Sequence, residues 1–124
     1  YKTLKMSTFT AQMRFLKDLI AIANERGTHV VLVAMPITQV NRELLPDASW
    51  DLYKSELAKL AAQSQSVTFK DLHAEGKGKF ALSDFQDTVH LHSGGGAKLL
   101  SEIAQIMAND PVSRKALETN GGAQ

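Results

Sequence analysis

Asp87 and His90 stand three residues apart in Phe85-Gln86-Asp87-Thr88-Val89-His90-Leu91-His92-Ser93-Gly94-Gly95-Gly96-Ala97, at the entry to a glycine-rich helix start. A carboxylate so placed can accept the Nδ1 proton of the imidazole, which fixes the tautomer and leaves Nε2 as a general base. A serine hydroxyl from another loop would then lose its proton during attack on an ester or acyl carbonyl. The same stretch supports other chemistry. His90, His92, Asp87 and His73 are ligand types that zinc accepts, although alternating positions in extended chain point to opposite sides. Ser93 to Lys98 would offer amides to an anion at a helix N-terminus, but the Gly-Lys-Ser/Thr order of a phosphate loop is missing. Ser83 and Ser93 are the serines nearest His90, and neither sits on a strand-to-helix elbow; both read as loop or capping residues. Trp50, Tyr53 and Phe85 are candidates for an acyl pocket, with Tyr53 reading as core, and Asn41-Arg42 for contact with a polar substrate.

The elements that must position these residues are legible from periodicity. Met13, Leu16, Ile20 and Ala23 recur at helical spacing within 9–26, and Gly27 follows as a stop. Val30 to Met35 is continuous and β-branched, as in a strand covered on both faces, and Pro36 ends it. After a loop over 37–46, Asp47 or Ser49 would cap a helix running to about Gln63, with Tyr53, Leu57, Leu60 and Ala61 on one face. Val67 to Leu72 alternates as a second strand with polar, edge-like positions. The stretch 74–79 is turn-rich and 80–93 irregular. A last helix begins near Ser93 with Ala97, Leu100, Ala104 and Met107 as its stripe, and 108–124 reads as a helix turn and a flexible tail. The order helix, strand, helix, strand, helix implies parallel strands joined by right-handed crossovers, an α/β fold in which ligands gather beyond the carboxyl ends of the strands.

Composition excludes several classes. With 124 residues the chain is one domain. A hydrophobic fraction of 44% and a charged fraction of 22% are those of a folded chain. Fourteen Lys plus Arg against 13 Asp plus Glu leave a net charge of +1, which lacks the basic excess of a nucleic-acid binder. No apolar run is long enough to span a bilayer. The absence of cysteine removes disulfides, thiolate metal sites and a cysteine nucleophile, and says nothing of compartment.

Asp87-x-x-His90, then Gly95, Ala97 and Leu99-Leu100, resembles the last block of SGNH/GDSL-type serine hydrolases and acyltransferases, and the Val30–Met35 strand with Pro36 is similar to a late strand of that fold. The resemblance covers most of residues 9–108 and implies the C-terminal half of a three-layer, flavodoxin-like α/β domain. Residues 1–124 would then be one partial domain, with 109–124 as its tail. It implies that Asp87 orients His90, that His90 acts as base and then acid, and that no cofactor or metal is needed. The family's Gly-Asp-Ser and Gly-x-Asn-Asp blocks do not occur here, so the nucleophile and oxyanion donors are expected upstream and the chain alone is expected to be inactive. The opening Tyr1-Lys2-Thr3, without methionine, agrees with a processed or partial polypeptide. The expected partners are an ester or acyl substrate and, through an unpaired strand edge, a second copy of the chain or a chain carrying the first half of the domain. The rival expectation is a non-catalytic α/β binding module.

Overall fold

The protein is described by a computed structural model covering residues 3–75 and 79–121; of the turn-rich stretch expected at 74–79, Ala74 and Glu75 instead belong to a helical turn and 76–78 lie outside the described residues, as does the extreme C-terminus. Helix α1 spans Met6–Glu25 and ends at Arg26, after which Gly27 adopts φ +64°, a left-handed conformation that glycine alone enters without a Cβ penalty. Strand β1 (Val30–Ala34) follows, then a one-turn helix α2 (Gln39–Arg42) within the segment read as loop. Helix α3 covers Asp47–Ala62 and strand β2 covers Val67–Asp71. A turn of helix α4 (Leu72–Glu75), a 3-10 turn at Leu82–Asp84, helix α5 (Ser93–Asn109) and helix α6 (Pro111–Gly121) complete the order.

The two strands pair in parallel, Val30 opposite Val67 and Leu32 opposite Phe69. Met13 and Ile20 of α1, Leu57 and Leu60 of α3, and Val67 form the buried cluster, with Val30, Leu32 and Phe69 packed against it. Those strand residues share one face because side chains alternate. The opposite face carries Val31 and Thr68. Val31 shares a cavity wall with Met107 and Ser113, and Thr68 shares one with Ile106 and Asp110, so α5 and α6 cover that side. The molecule is thus mixed α/β with a two-stranded parallel sheet between helices. Among the described residues β1 pairs with β2 alone. Val30 to Val33 are only half-buried, while Phe15, Leu19 and Ile22 form a second apolar stripe on α1 that stays more than half exposed.

Three local expectations need correction. Helix α3 is not capped by Asp47 or Ser49: its N-cap is Pro46 at φ −58°, and Asp47 falls in the first turn, where a carboxylate suits the helix dipole. The stripe expected on α5 is rotated. Gly95 and Leu99 are buried, Ile103 and Ile106 are half-buried, and Leu100 is 69% exposed. The rotation follows from the contact of Gly95 described below. The segment after α5 is no mere turn and tail up to residue 121, because Pro111 supplies the preset φ of a first helical position and Asp110 caps it through a 2.7 Å bond from the Ser113 amide.

Candidate active site

The loop between β2 and α5 is organised by Asp84 and His92. The Asp84 carboxylate accepts the Ala81 amide at 2.8 Å and the Lys98 ammonium at 2.9 Å, which ties the 82–84 turn to α5. Lys98 in turn holds the Asp84 carboxyl below its usual value, with the Ala81 amide as the second cause. The Asp84 carbonyl accepts the His92 amide at 3.1 Å. His92 itself caps α5: its Nδ1 accepts from the Gly94 and Gly95 amides at 2.9 and 3.2 Å, so Nε2 carries the proton and donates to the Ser83 carbonyl. A Cβ on Gly95 would lie 2.1 Å from the Asp84 carbonyl oxygen. Only glycine allows that approach of helix to turn, and it sets which face of α5 looks inward.

Asp87 and His90 occupy the loop held between these contacts. Phe85 and Leu91 form an antiparallel bridge, and the Gln86 amide donates to the His90 carbonyl at 2.7 Å. Oδ1 of Asp87 accepts the amides of Val89 and His90 at 2.8 and 2.7 Å, while Oδ2 lies 2.7 Å from Nδ1 of His90. The two amides, the His90 amide foremost, and then the imidazole push the Asp87 carboxyl down to about 2. At neutral pH the carboxylate is an acceptor only, so Nδ1 donates to it, and in the neutral form of the ring the lone pair is on Nε2. The side chains are 77% and 53% exposed, and Nε2 has no partner among the described residues. Backbone geometry, not burial, holds this pair.

The far side of the loop is fastened to the carboxyl end of β1. Thr38, buried two residues beyond Pro36, donates its hydroxyl to the Thr88 carbonyl at 2.7 Å, and its amide approaches the same oxygen at 3.4 Å. Its hydroxyl also accepts the Asn41 amide, capping α2. Thr38 and Asp84 carried no signal in the sequence, because each acts on a partner that depends on packing.

The remaining candidates are not gathered around His90. His92 is spent on the helix cap, and the glycine amides proposed for an anion are the ones it fills. Ser83 and Ser93 are exposed, and neither hydroxyl bonds His90 among the described residues. His73 is buried in α4 against Trp50, with ring centroids 4.7 Å apart. Tyr53 packs on the core, as its spacing predicts. Arg42 pairs with Asp47 at 3.6 Å and gives its carbonyl to the Trp50 indole. No group of three His, Asp or Glu side chains is arranged around a metal position among the described residues, and no helix there is long and apolar enough to cross a membrane. The chain matches no family model, no curated protein and no solved structure.

Proposed function

We propose that this chain is the C-terminal half of an SGNH-like, flavodoxin-type domain and supplies the base and its orienting acid to a serine ester hydrolase or O-acyl transferase. The observation that carries the reading is the 2.7 Å contact between Asp87 Oδ2 and His90 Nδ1, with Oδ1 fixed by two amides and Nε2 presented to solvent. In that mechanism Asp87 holds the tautomer and stabilises the imidazolium, and His90 takes the proton of an attacking serine and returns it to the leaving group. The nucleophile and oxyanion donors come from a segment outside these 124 residues. The edge of β1 that pairs with no strand among the described residues, the half-buried Val31 and Val33 and the bare stripe on α1 support a sheet completed by further strands.

The test has two arms. Purified chain should show no saturable hydrolysis of a short activated ester beyond what the His90→Ala chain shows, since free imidazoles hydrolyse such esters slowly. The reading frame before Tyr1 should encode an apolar strand followed by Gly-Asp-Ser. Saturable turnover by the chain alone that vanishes in the variant places the nucleophile within it. A parent with neither block leaves the non-catalytic binding module as the better account.

A further inference from the structure

A cleft of about 310 Å³ opens where the chain leaves β1 and β2. Ile37, Val40, Phe80, Leu82 and Phe85 make most of its wall, and Val40 and Leu82 keep 60% and 75% of their surface exposed. Two of its residues fasten the loop that carries Asp87 and His90: Thr38 at Thr88 and Phe85 at Leu91. The neutral polar groups of the wall are committed or closed off. The Thr38 hydroxyl serves Thr88, the Gln39 amide donates to Glu43 at 2.7 Å, and both nitrogens of His73 are buried out of a ligand's reach.

Arg42 differs. It is the one cation of this wall among the described residues, and its side chain is 28% exposed. Its guanidinium makes no hydrogen bond among the described residues. Its ion pair is with Asp47 at 3.6 Å, longer than a hydrogen bond, and the Asp47 side chain is 84% exposed. A pair so solvated contributes little and exchanges readily. Arg42 also lines a second depression with Glu43 and Asp47, so its side chain stands between that depression and the cleft. The backbone beneath it is held separately, because the Trp50 indole donates to the Arg42 carbonyl at 2.9 Å. A fixed backbone thus presents five donors in a planar fork whose geometry matches a carboxylate. A hydrocarbon in the cleft would leave the fork unmet, and an amine would be repelled by it. A carboxylate replaces Asp47 one charge for one, whereas a dianion would add repulsion from Asp47 and Glu43.

We propose that this cleft binds a small apolar carboxylic acid as its anion, the hydrocarbon body against Ile37, Phe80 and Phe85 and the carboxylate on the Arg42 guanidinium in place of Asp47. The binding rests on these residues and not on the role given to Asp87 and His90.

The experiment titrates the 124-residue chain at neutral pH and fixed ionic strength with phenylacetate, its neutral isostere phenylacetamide, and phenethylamine. It follows the emission of Trp50, the chain's single tryptophan, and the amide chemical shifts of Thr38 and Phe85. Phenylacetate should saturate both signals and bind about tenfold more tightly than the amide, because bonds between two charged groups are the stronger ones. Arg42→Gln, which keeps the stem and the backbone contact with Trp50, should bind the acid no better than the amide. Arg42→Lys should recover part of the preference. Asp47→Asn, which removes the competing carboxylate, should tighten phenylacetate about threefold and leave the amide unchanged. Equal binding of acid and amide by the native chain, tighter binding of the amine, or no saturable change overturns the proposal without recourse to any variant. A preference for the acid that survives in a folded Arg42→Gln chain also overturns it. No turnover is read, so a parent without esterase activity leaves the result standing, and a failed titration leaves the Asp87–His90 reading intact.

Discussion

Two histidine–aspartate pairs sit at opposite ends of the same strands. At the carboxyl end, His90 and Asp87 are exposed, three residues apart and 2.7 Å from one another. At the amino end, His29 precedes β1 with its side chain 8% exposed, and its Nε2 lies 3.1 Å from the Thr68 hydroxyl and 3.5 Å from the Asp110 carboxylate. Asp110 also accepts the Thr68 hydroxyl at 3.1 Å and caps α6. Ser113 first, and then Thr68 and His29, hold its carboxyl below the usual range. The inner pair joins β1, β2 and α6, and its imidazole is walled in. The outer pair joins nothing beyond its own loop and leaves a basic nitrogen facing solvent. Pairing with a carboxylate therefore does not by itself tell the two histidines apart; they differ in that the second nitrogen is open to solvent at His90 and buried at His29.

The sharpest way to break this contrast is to remove each imidazole in turn. On the proposed hydrolase reading, His90→Ala in a protein that also carries the nucleophile should lower kcat by several orders of magnitude, about 10⁶-fold where a triad base is lost, with thermal stability unchanged. His29→Ala should lower stability by about 1–3 kcal/mol, read by urea denaturation of the 124-residue chain. A folded His90→Ala enzyme with near-native turnover would take His90 out of the mechanism. The next effect concerns what holds the outer pair. Gly95→Ala drives a Cβ onto the Asp84 carbonyl and should cost about 1–3 kcal/mol while shifting the amide resonances of residues 85–91. Gly96→Ala, whose Cβ meets nothing within 4 Å, should instead stabilise α5 by about 0.5–1 kcal/mol.

For the inner pair, Asp110→Ala removes the cap of α6 together with the Thr68 and His29 contacts and should cost about 1–3 kcal/mol, with hydrogen-exchange protection lost both in α6 and at the amino ends of β1 and β2. The smallest effect is a titration. Because the folded Asp87 carboxyl is pushed down to about 2, its contribution is complete above the ordinary carboxyl value of 3.8 and fades as the pH falls through about 2. A carbon-13 titration of Asp87 should show that low midpoint. A midpoint at 3.8 would mean that the loop does not close on the carboxylate in solution.

The periodic apolar positions of α1 and α3, the β-branched run of β1, the stop at Gly27 and the Asp87–His90 contact were all legible in the sequence. Each depends on residues a few positions apart, where backbone geometry leaves few choices. A carboxylate three residues before an imidazole in a tight turn reaches both the following amides and the ring through local geometry. Tertiary structure alone decided which histidine did what. His92 became a helix cap because the Ser83 carbonyl came within reach, His73 was buried under Trp50, and His29 met Asp110 from the far end of the chain. It also decided which face α5 turns inward, through the approach of Gly95 to Asp84, and it tied Thr38 to Thr88 across fifty residues. Such contacts join segments distant in sequence. Their partners are chosen by how helices and strands pack, and no spacing along the chain records that choice.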